Sequence, residues 1–273
     1  MTVQHKQMTI IASNNSGPGV VSLTDVAHQL GYEVSVYVIG QDDVVDVINN
    51  APNVIYRIGP ISYGLYADLA NNLTGSAQLK LQSVLNAFDK IKSYTILHRS
   101  SVVMPRTWIV TTPYSYQDEP FVIKIPRGNQ GNGVELIESQ TVLKAFFDTY
   151  SDTDQFVAQE YIKEAGAKDK RLLVVGDRVV AAMERRSSSD DFRANLHLGG
   201  HAVLYDPTKQ ERELAIRATK ALDLPYAGVD IIDSVRGPLI LEVNPSPGFG
   251  ISQITGVNVE REILNYIVGA DHD

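Results

Sequence analysis

An α/β unit followed by α+β lobes is the fold class that the sequence predicts, and three observations carry it. Residues 8–13, 33–39 and 53–58 are short β-rich runs, with helical patterns at about 18–30 and 42–50 between them. Such alternation builds βαβ units around a small parallel sheet. From about residue 107 the grammar changes to strands separated by glycine and polar turns, the pattern of an α+β lobe. The 273-residue length fits about two domains or one large one.

The elements follow in order. Helical stretches are predicted at about 64–75 and 83–98. Then "TWIVTT", "FVIKI", "GVELIE" and "FVAQEYI" read as strands, with a helix near 140–148 before the last of them. "RLLVVGDRVVAAMERR" is a hairpin around its Gly-Asp turn. "SSSDDFRANLHLGGH" is polar and lacks apolar periodicity. A helix at about 207–222, the strands "YAGVDIID" and "PLILEVN", and a helix near 258–268 complete the chain. Three modules are expected: 1–85, an N-terminal α/β domain; 86–162, a linker helix and small lobe; and 163–273, a C-terminal mixed lobe.

Composition narrows the function. Hydrophobic residues at 44% and charged residues at 21% describe a globular chain, not a disordered or fibrous one. There is no bilayer-length apolar run, and "MTVQHKQMTIIAS" lacks the parts of a signal peptide, so a soluble cytoplasmic protein with no membrane partner is expected. A net charge of −8 opposes binding to nucleic acid. With zero cysteines there is no disulfide framework, thiolate nucleophile or zinc-thiolate site.

"SGPGVVS" after the first strand carries Gly17 and Gly19 at the spacing that opens a dinucleotide fingerprint, with Asp42 and Asp43 after the second strand. Ser22 stands where the third glycine belongs. A Gly/Pro turn that starts a helix is the better reading, and a non-catalytic NAD-type module is the alternative.

"LILEVNPSPGF" starts as strand core through Leu239, Ile240, Leu241 and Val243, yet Glu242 and Asn244 sit two apart and so share a face. Asp230, in the preceding strand, would join them if the strands pair across a turn at Arg236, Gly237 and Pro238. Converging carboxylates repel and lose hydration unless a cation lies between them, and an oxygen site with few protein ligands suits Mg²⁺. The competing reading pairs Glu242 with an arginine and uses Asn244 only to cap the turn.

Lys124 lies inside the apolar strand "FVIKI" and needs an anion. "PRGNQGNGVEL" follows it, a loop whose Gly128, Gly131 and Gly133 let backbone N–H groups approach phosphate; Val134 after Gly133 rules out a P-loop. Lys90 is a further candidate cation, with a surface helix lysine as its ordinary alternative. Arg193 and Asn195 offer donors to developing negative charge. Gly199 and Gly200 between His197 and His201 argue against a helix, so no zinc site is expected. The nucleophile elbow of serine hydrolases is also missing.

Taken in order, "DKIKSYTIL…MPRTWIV", "FVIKIPRGNQGNGVEL", "VAQEYIKE", "DKRLLVVGDRVVAAMERR", "DDFRANLHLGGHA", "YAGVDII" and "LILEVNPSPGF" resemble the RimK-like carboxylate-amine ligases of the ATP-grasp superfamily. "YRIGPISYG" looks like the family's N-terminal domain. The resemblance implies an ATP-grasp fold with a pre-ATP-grasp N-terminal domain, and a ligase forming an amide through an acyl phosphate. It implies ATP with Mg²⁺, or alternatively Mn²⁺, as cofactors.

By the same resemblance Lys90 and Lys124 contact the nucleotide, as do Gly128, Gln130, Gly131 and Gly133 of the loop. Gln159, Glu160, Tyr161 and Ile162 match the adenine hinge, with Asp169 near the ribose and Arg171 in the same nucleotide set. Asp230, Glu242 and Asn244 match the metal ligands; Arg193 matches the arginine that stabilises the reacting acyl group, with Asn195 and Lys124 beside it in catalysis. Pro126, Arg127 and Leu198 depart from the family pattern, and Leu198 removes a cation from the substrate side. A small amino acid, a peptide or a protein tail is the expected substrate, glutamate among the candidates. Relatives of this kind are often dimers or tetramers, and the residues themselves do not decide between these states.

Overall fold

The computed structural model describes residues 6–59, 63–128, 131–151, 153–187 and 201–269. Its N-terminal unit comprises β1 (Lys6–Ala12), α1 (Pro18–Gln29), β2 (Tyr32–Val38), α2 (Val45–Asn50) and β3 (Val54–Arg57). The sheet is parallel, in the order β2-β1-β3. Met8 and Ile10 point to one side of β1 and Ile11 to the other, and both sides are buried, as a sheet covered on two faces requires.

The sequence-based helix at 83–98 is two helices. After α3 (Tyr63–Asn72), α4 (Gly75–Phe88) ends where Asp89 leaves helical geometry and N-caps α5 (Lys90–Arg99), its Oδ1 accepting from the Ile91 and Lys92 amides at 3.1 and 3.2 Å. Apolar periodicity runs through the break, so the cap is the only local sign of it.

The middle lobe contains β4 (Thr107–Thr111), β5 (Phe121–Lys124), β6 (Val134–Ile137), α6 (Gln140–Thr149) and β7 (Gln155–Glu160). Its antiparallel sheet has the order β4-β7-β5-β6. α6 carries Leu143 and Phe146 onto that sheet and completes a separate core with Ile123, Ile137 and Phe156.

The C-terminal lobe is a second antiparallel sheet, β10-β9-β8-β11-β12. β8 (Lys168–Val175) and β9 (Arg178–Arg186) form the expected hairpin at Gly176-Asp177. β10 (His201–Leu204), α7 (Lys209–Ala221), β11 (Tyr226–Ser234), β12 (Gly237–Asn244), α8 (Ile251–Thr255) and α9 (Val259–Gly269) follow. β10 and α8 were not expected from the sequence, being short and without periodic signal. The β11–β12 turn lies at Val235-Arg236 rather than 236–238, and Gly237 and Pro238 open β12, an edge strand that tolerates proline.

A β-bulge corrects the reading of β12. Asp230 pairs with Glu242 and Ile231 with Ile240, so Leu241 has no partner across the ladder. Ile240 and Val243, three residues apart, therefore reach the same core, while Leu241 is half-buried beside Glu242 at a cavity.

Two cores join the N-terminal unit to the C-terminal lobe. One unites Ile11, Tyr56 and Tyr66 with Leu172, Val229 and Ile240; the other unites Ile10 and Leu23 with Leu173, Phe249 and Ile263. Strand-ladder alternation divides β8 between them, Leu172 and Val174 to one and Leu173 and Val175 to the other. Among the described residues no helix is long and apolar enough to cross a membrane.

Candidate active site

A cavity of about 850 Å³ lies where the middle lobe, the C-terminal sheet and the start of α1 meet. On its middle-lobe wall, Lys124 ends β5 and Gln159 stands opposite Val122 on β7, which puts both side chains on one face. Lys124 Nζ donates to Gln159 Oε1 at 2.8 Å, and Gln159 Nε2 donates to Thr107 Oγ1 at 3.2 Å. Burial lowers the Lys124 ammonium to about 8; Glu242 and Asp230 pull upward and the neighbouring Lys90 adds to the fall. An amide oxygen is the nearest partner of Lys124, and the carboxylates act on it as neighbouring charges.

The glycine loop is tied to α5. Ile125 N–H donates to Gly133 O at 2.8 Å, closing the loop on itself. Gly133 has φ +67°, and a Cβ there would come within 2.4 Å of Ile125, so only glycine makes this turn without displacement. Lys90 is no free surface lysine: its Nζ donates to Gly128 O at 2.7 Å and its backbone N–H to Pro126 O at 2.9 Å. Arg127 reaches Asp89 at 3.2 Å and covers the Tyr63 ring at 4.1 Å. Pro126 and Arg127, which depart from the family pattern, are therefore part of the loop's anchorage.

The opposite wall is an ion lattice on β8, β9 and β11. Arg171 stands across from Asp230 and clasps it with Nε to Oδ1 and Nη2 to Oδ2, both 2.7 Å. Arg185 stands across from Asp169, holds it at 2.6 and 2.7 Å, and also reaches Asp230 Oδ2 at 2.8 Å. Burial would raise the Asp230 carboxyl, but the two guanidiniums outweigh it and hold it well below the usual carboxylate range. Asp169 goes the other way: burial raises it against the pull of Arg185, with the Asp230 charge adding to the rise. Arg185 is buried at 5% exposure; Arg186 is the exposed one and pairs with Glu184.

Glu242 is exposed and has no hydrogen bond or ion pair among the described residues. Among the described residues no arginine pairs with it. Asn244 does cap its turn, Oδ1 accepting from Ser246 N at 2.9 Å. A lone-pair count tests the metal expectation. Asp230 Oδ2 faces two guanidiniums, Oδ1 meets one, and Asn244 Oδ1 meets one amide, which leaves a free lone pair on each of the last two oxygens. With both Glu242 oxygens, that donor set fits a Mg²⁺ ion completed by water and phosphate oxygens. Among the described residues no three His, Cys, Asp or Glu side chains gather as a metal group, consistent with an amide supplying the third ligand.

At the hinge, Glu160 accepts from Arg106 N at 3.0 Å and from Arg236 Nη2 at 2.6 Å, and Ile162 is buried. Gly128, Gly131, Gln159, Glu160, Tyr161 and Ile162 all line the cavity, as do Asp169 and Arg171. Gly133 supports the loop from behind. Gln130, Arg193, Asn195, His197 and Leu198 lie outside the described residues. Of the two acids of the dinucleotide alternative, Asp42 accepts from the Val38 amide at 2.7 Å, and Gly17 with Pro18 starts α1.

Sequence reasoning overlooked Arg57 at this cavity and read Arg185 only as a basic residue that favours an acidic substrate or lies solvated at a strand end. Arg185 had a signal: Ala181, Met183 and Arg185 alternate onto one buried face of β9. Arg57 lies at the end of a short β run and carried no such pattern.

A three-sheet fold in which a glycine loop, flanked by Lys124 and held by Lys90, faces acidic strands points to an ATP-dependent ligase of the grasp type. The comparisons agree. Residues 87–267 match the family model of the RimK-like ATP-grasp domain. The ribosomal protein bS6–L-glutamate ligase of Escherichia coli O139:H28 (strain E24377A / ETEC) is 41% identical over 226 residues, 78% of this chain and 75% of that one. In fold, the chain resembles the D-cycloserine synthetase DcsG (TM-score 0.75, 14% identity, covering 97% of this chain and 99% of that). It also resembles the ATP-grasp ligase PsnB complexed with minimal precursor, Mg and ADP (TM-score 0.70, 16% identity, 97% of each chain). This chain belongs to the RimK-like ATP-grasp family and is a carboxylate-amine ligase.

Proposed function

We propose that this chain joins glutamate, or a closely similar amino acid, to the carboxylate of a peptide or protein tail, using ATP with Mg²⁺ or alternatively Mn²⁺ in the cytoplasm. The single observation that carries the reading is the convergence on one cavity of Lys124, the Lys90-anchored glycine loop, and Glu242 beside Asp230 and Asn244. The bS6 ligase relative supports glutamate as the added residue.

In this scheme an oxygen of the acceptor carboxylate attacks the γ-phosphorus of ATP, the bond to the β-phosphate oxygen breaks, and ADP departs. The amine of the second substrate then attacks the acyl carbon. The tetrahedral intermediate loses phosphate, a proton leaves the nitrogen, and the amide remains. Phosphoryl transfer of this kind is served by alignment and charge neutralisation rather than by one general base.

Lys124, Lys90 and the loop amides would hold the phosphates, with Gln159, Glu160, Tyr161 and Ile162 along the base and Asp169 near the ribose. Asp230, Glu242 and Asn244 would hold Mg²⁺, which when bound neutralises phosphate charge. Arg171 and Arg185 would keep Asp230 ionised and fixed. Arg193 and Asn195 would stabilise the oxyanion. The middle lobe, with its own core, would close over the nucleotide and exclude water from the acyl phosphate.

Phosphate release from ATP and Mg²⁺ against a panel of amino acids and acidic peptides, with mass spectrometry of each mixture, tests the reading. Release coupled to a product heavier by one condensed glutamate is expected. Nucleotide binding without turnover for every pair would contradict it.

A further inference from the structure

The cavity has a second end, away from Lys124, and its chemistry differs. Arg57, the last residue of β3, lines it together with Gly19, Ser22, Phe249, Ser252 and Glu260. The Arg57 guanidinium lies 4.5 Å from the centre of the Phe249 ring. Nε and Nη1 are buried and have no hydrogen-bond partner, and among the described residues no carboxylate lies within ion-pair distance. The phenol of Tyr226 is its polar neighbour, and the Arg57 charge acts against the burial that raises that phenol.

Guanidinium nitrogens kept from water with donors unused are expensive unless something is to occupy them, and Nε and Nη1 are so placed although Arg57 as a whole is half-buried. The one acid at this end is already engaged elsewhere. Glu260 is buried, with Ser22 Oγ donating to Oε1 and Ser252 Oγ donating to Oε2 at 3.0 Å. Room has also been made for the arginine: at Gly19, in the first turn of α1, a Cβ would sit 2.4 Å from Arg57 Nη2. In the same turn Pro18 has no N–H and the Val20 and Val21 N–H groups donate to Gly17 O at 2.8 and 3.0 Å, so this 12-residue helix adds only the positive end of its dipole.

We propose that Arg57 is a specificity-determining residue that receives a carboxylate of the amino-acid substrate, at the end of the cavity built by β3 and the start of α1. A planar guanidinium matches a carboxylate in two-point geometry, and it does so best where water is excluded. The amino acid would be anchored here by its carboxylate while its amine faces the wall that carries Asp230 and Glu242. This assignment rests on the ligase reading, but carboxylate binding is measurable without ligation.

The experiment is calorimetric titration of L-glutamate, with glutaric acid and L-glutamine as probes, into the full chain loaded with ADP and Mg²⁺, for the parent and three variants. Arg57→Gln is expected to weaken L-glutamate about tenfold to a hundredfold. Arg57→Lys, which keeps the charge but loses the fork, is expected to fall in between, and Gly19→Ala, which crowds the guanidinium without touching its charge, to weaken glutamate several-fold. ADP affinity should stay unchanged in all three. If Arg57→Gln does not fold, the Arg57→Lys and Gly19→Ala comparisons carry the test.

Equal glutamate affinity in parent and folded variants would overturn the proposal and leave Arg57 as a clamp on Phe249. So would a parent chain that binds none of the three probes. Loss of ATP-dependent ligation with carboxylate binding intact would instead count against the ligase reading, so the two failures are distinguishable.

Discussion

The middle lobe and the C-terminal lobe face each other across one cavity, yet each is secured by different means. The middle lobe has a core of its own, in which Phe156 packs against Phe146 and Phe147 at 5.5 and 5.2 Å. The C-terminal lobe shares two cores with the N-terminal unit and adds the lattice of Asp169, Arg171, Arg185 and Asp230. Among the described residues the lobes are linked by polar contacts such as Arg236 to Glu160, and the glycine loop is tethered to α5 through Lys90. A body with a private core and polar tethers can move as a unit, whereas one with shared apolar cores cannot. The N-terminal unit is thus wall rather than lid, and the acid groups proposed to hold a metal stand on the fixed side.

The largest effect is expected where the fixed side is cut. Arg185→Met leaves Asp169 and Asp230 buried with half their compensation gone, a loss of about 3–5 kcal/mol. Thermal denaturation should show a melting temperature lower by roughly 6–20 °C, at about 2–4 °C per kcal/mol for a chain of this size. A shift within 2 °C or so would mean that the lattice adds little rigidity.

Phe156→Ala removes a fully buried ring and should cost about 3–5 kcal/mol, but only within the middle lobe. Hydrogen exchange should accelerate across 107–160 while β8, β9 and β11 stay protected. Uniform acceleration over all three sheets would erase the distinction between lid and wall.

Lys124 sharpens the comparison through pH. Because its ammonium is lowered to about 8, mainly by burial, the amine is neutral in the free protein above that pH, and phosphate charge favours the ammonium form. Nucleotide binding should therefore take up a proton near pH 8.5, giving a buffer-dependent binding enthalpy that Lys124→Met abolishes, and affinity should fall as pH rises past 8. The stability sign is the reverse: a lysine lowered in the fold opposes folding below about 8, and this cost fades as pH rises towards its ordinary 10.5. Buffer-independent enthalpy at pH 8.5 would remove Lys124 from the phosphate site.

The smallest effect is at the tether. Arg236→Ala breaks a partly exposed pair and should cost less than about 1 kcal/mol, while exchange at the hinge residues 160–164 rises. Unchanged hinge exchange would show that this pair does not restrain the lobe.

Much of this fold was legible because period is visible in sequence. The parallel N-terminal sheet, the Gly-Asp hairpin and the strands holding Lys124, Asp230 and Glu242 follow from alternation and turn residues. What escaped notice has physical causes. The Asp89 break interrupts no apolar stripe, and the bulge at Leu241 changes which side chains share a face without altering composition. The arginine lattice could be only half seen, because alternation marks Arg185 as inward but cannot name Asp169 and Asp230 as its partners across two different ladders. Arg57 meets Phe249 and Gly19 through long-range packing that no local pattern encodes.

The central claim is that the Glu242 carboxylate on the fixed wall holds the metal for ATP-dependent ligation. Ligation by Glu242→Gln at saturating Mg²⁺, read by mass spectrometry beside nucleotide binding in chelator, tests it most directly. The account predicts that metal-free nucleotide binding survives and that the condensed product disappears or falls by about a hundredfold, as for removal of a charge-stabilising group in a transition state. Full ligation by this variant would contradict it.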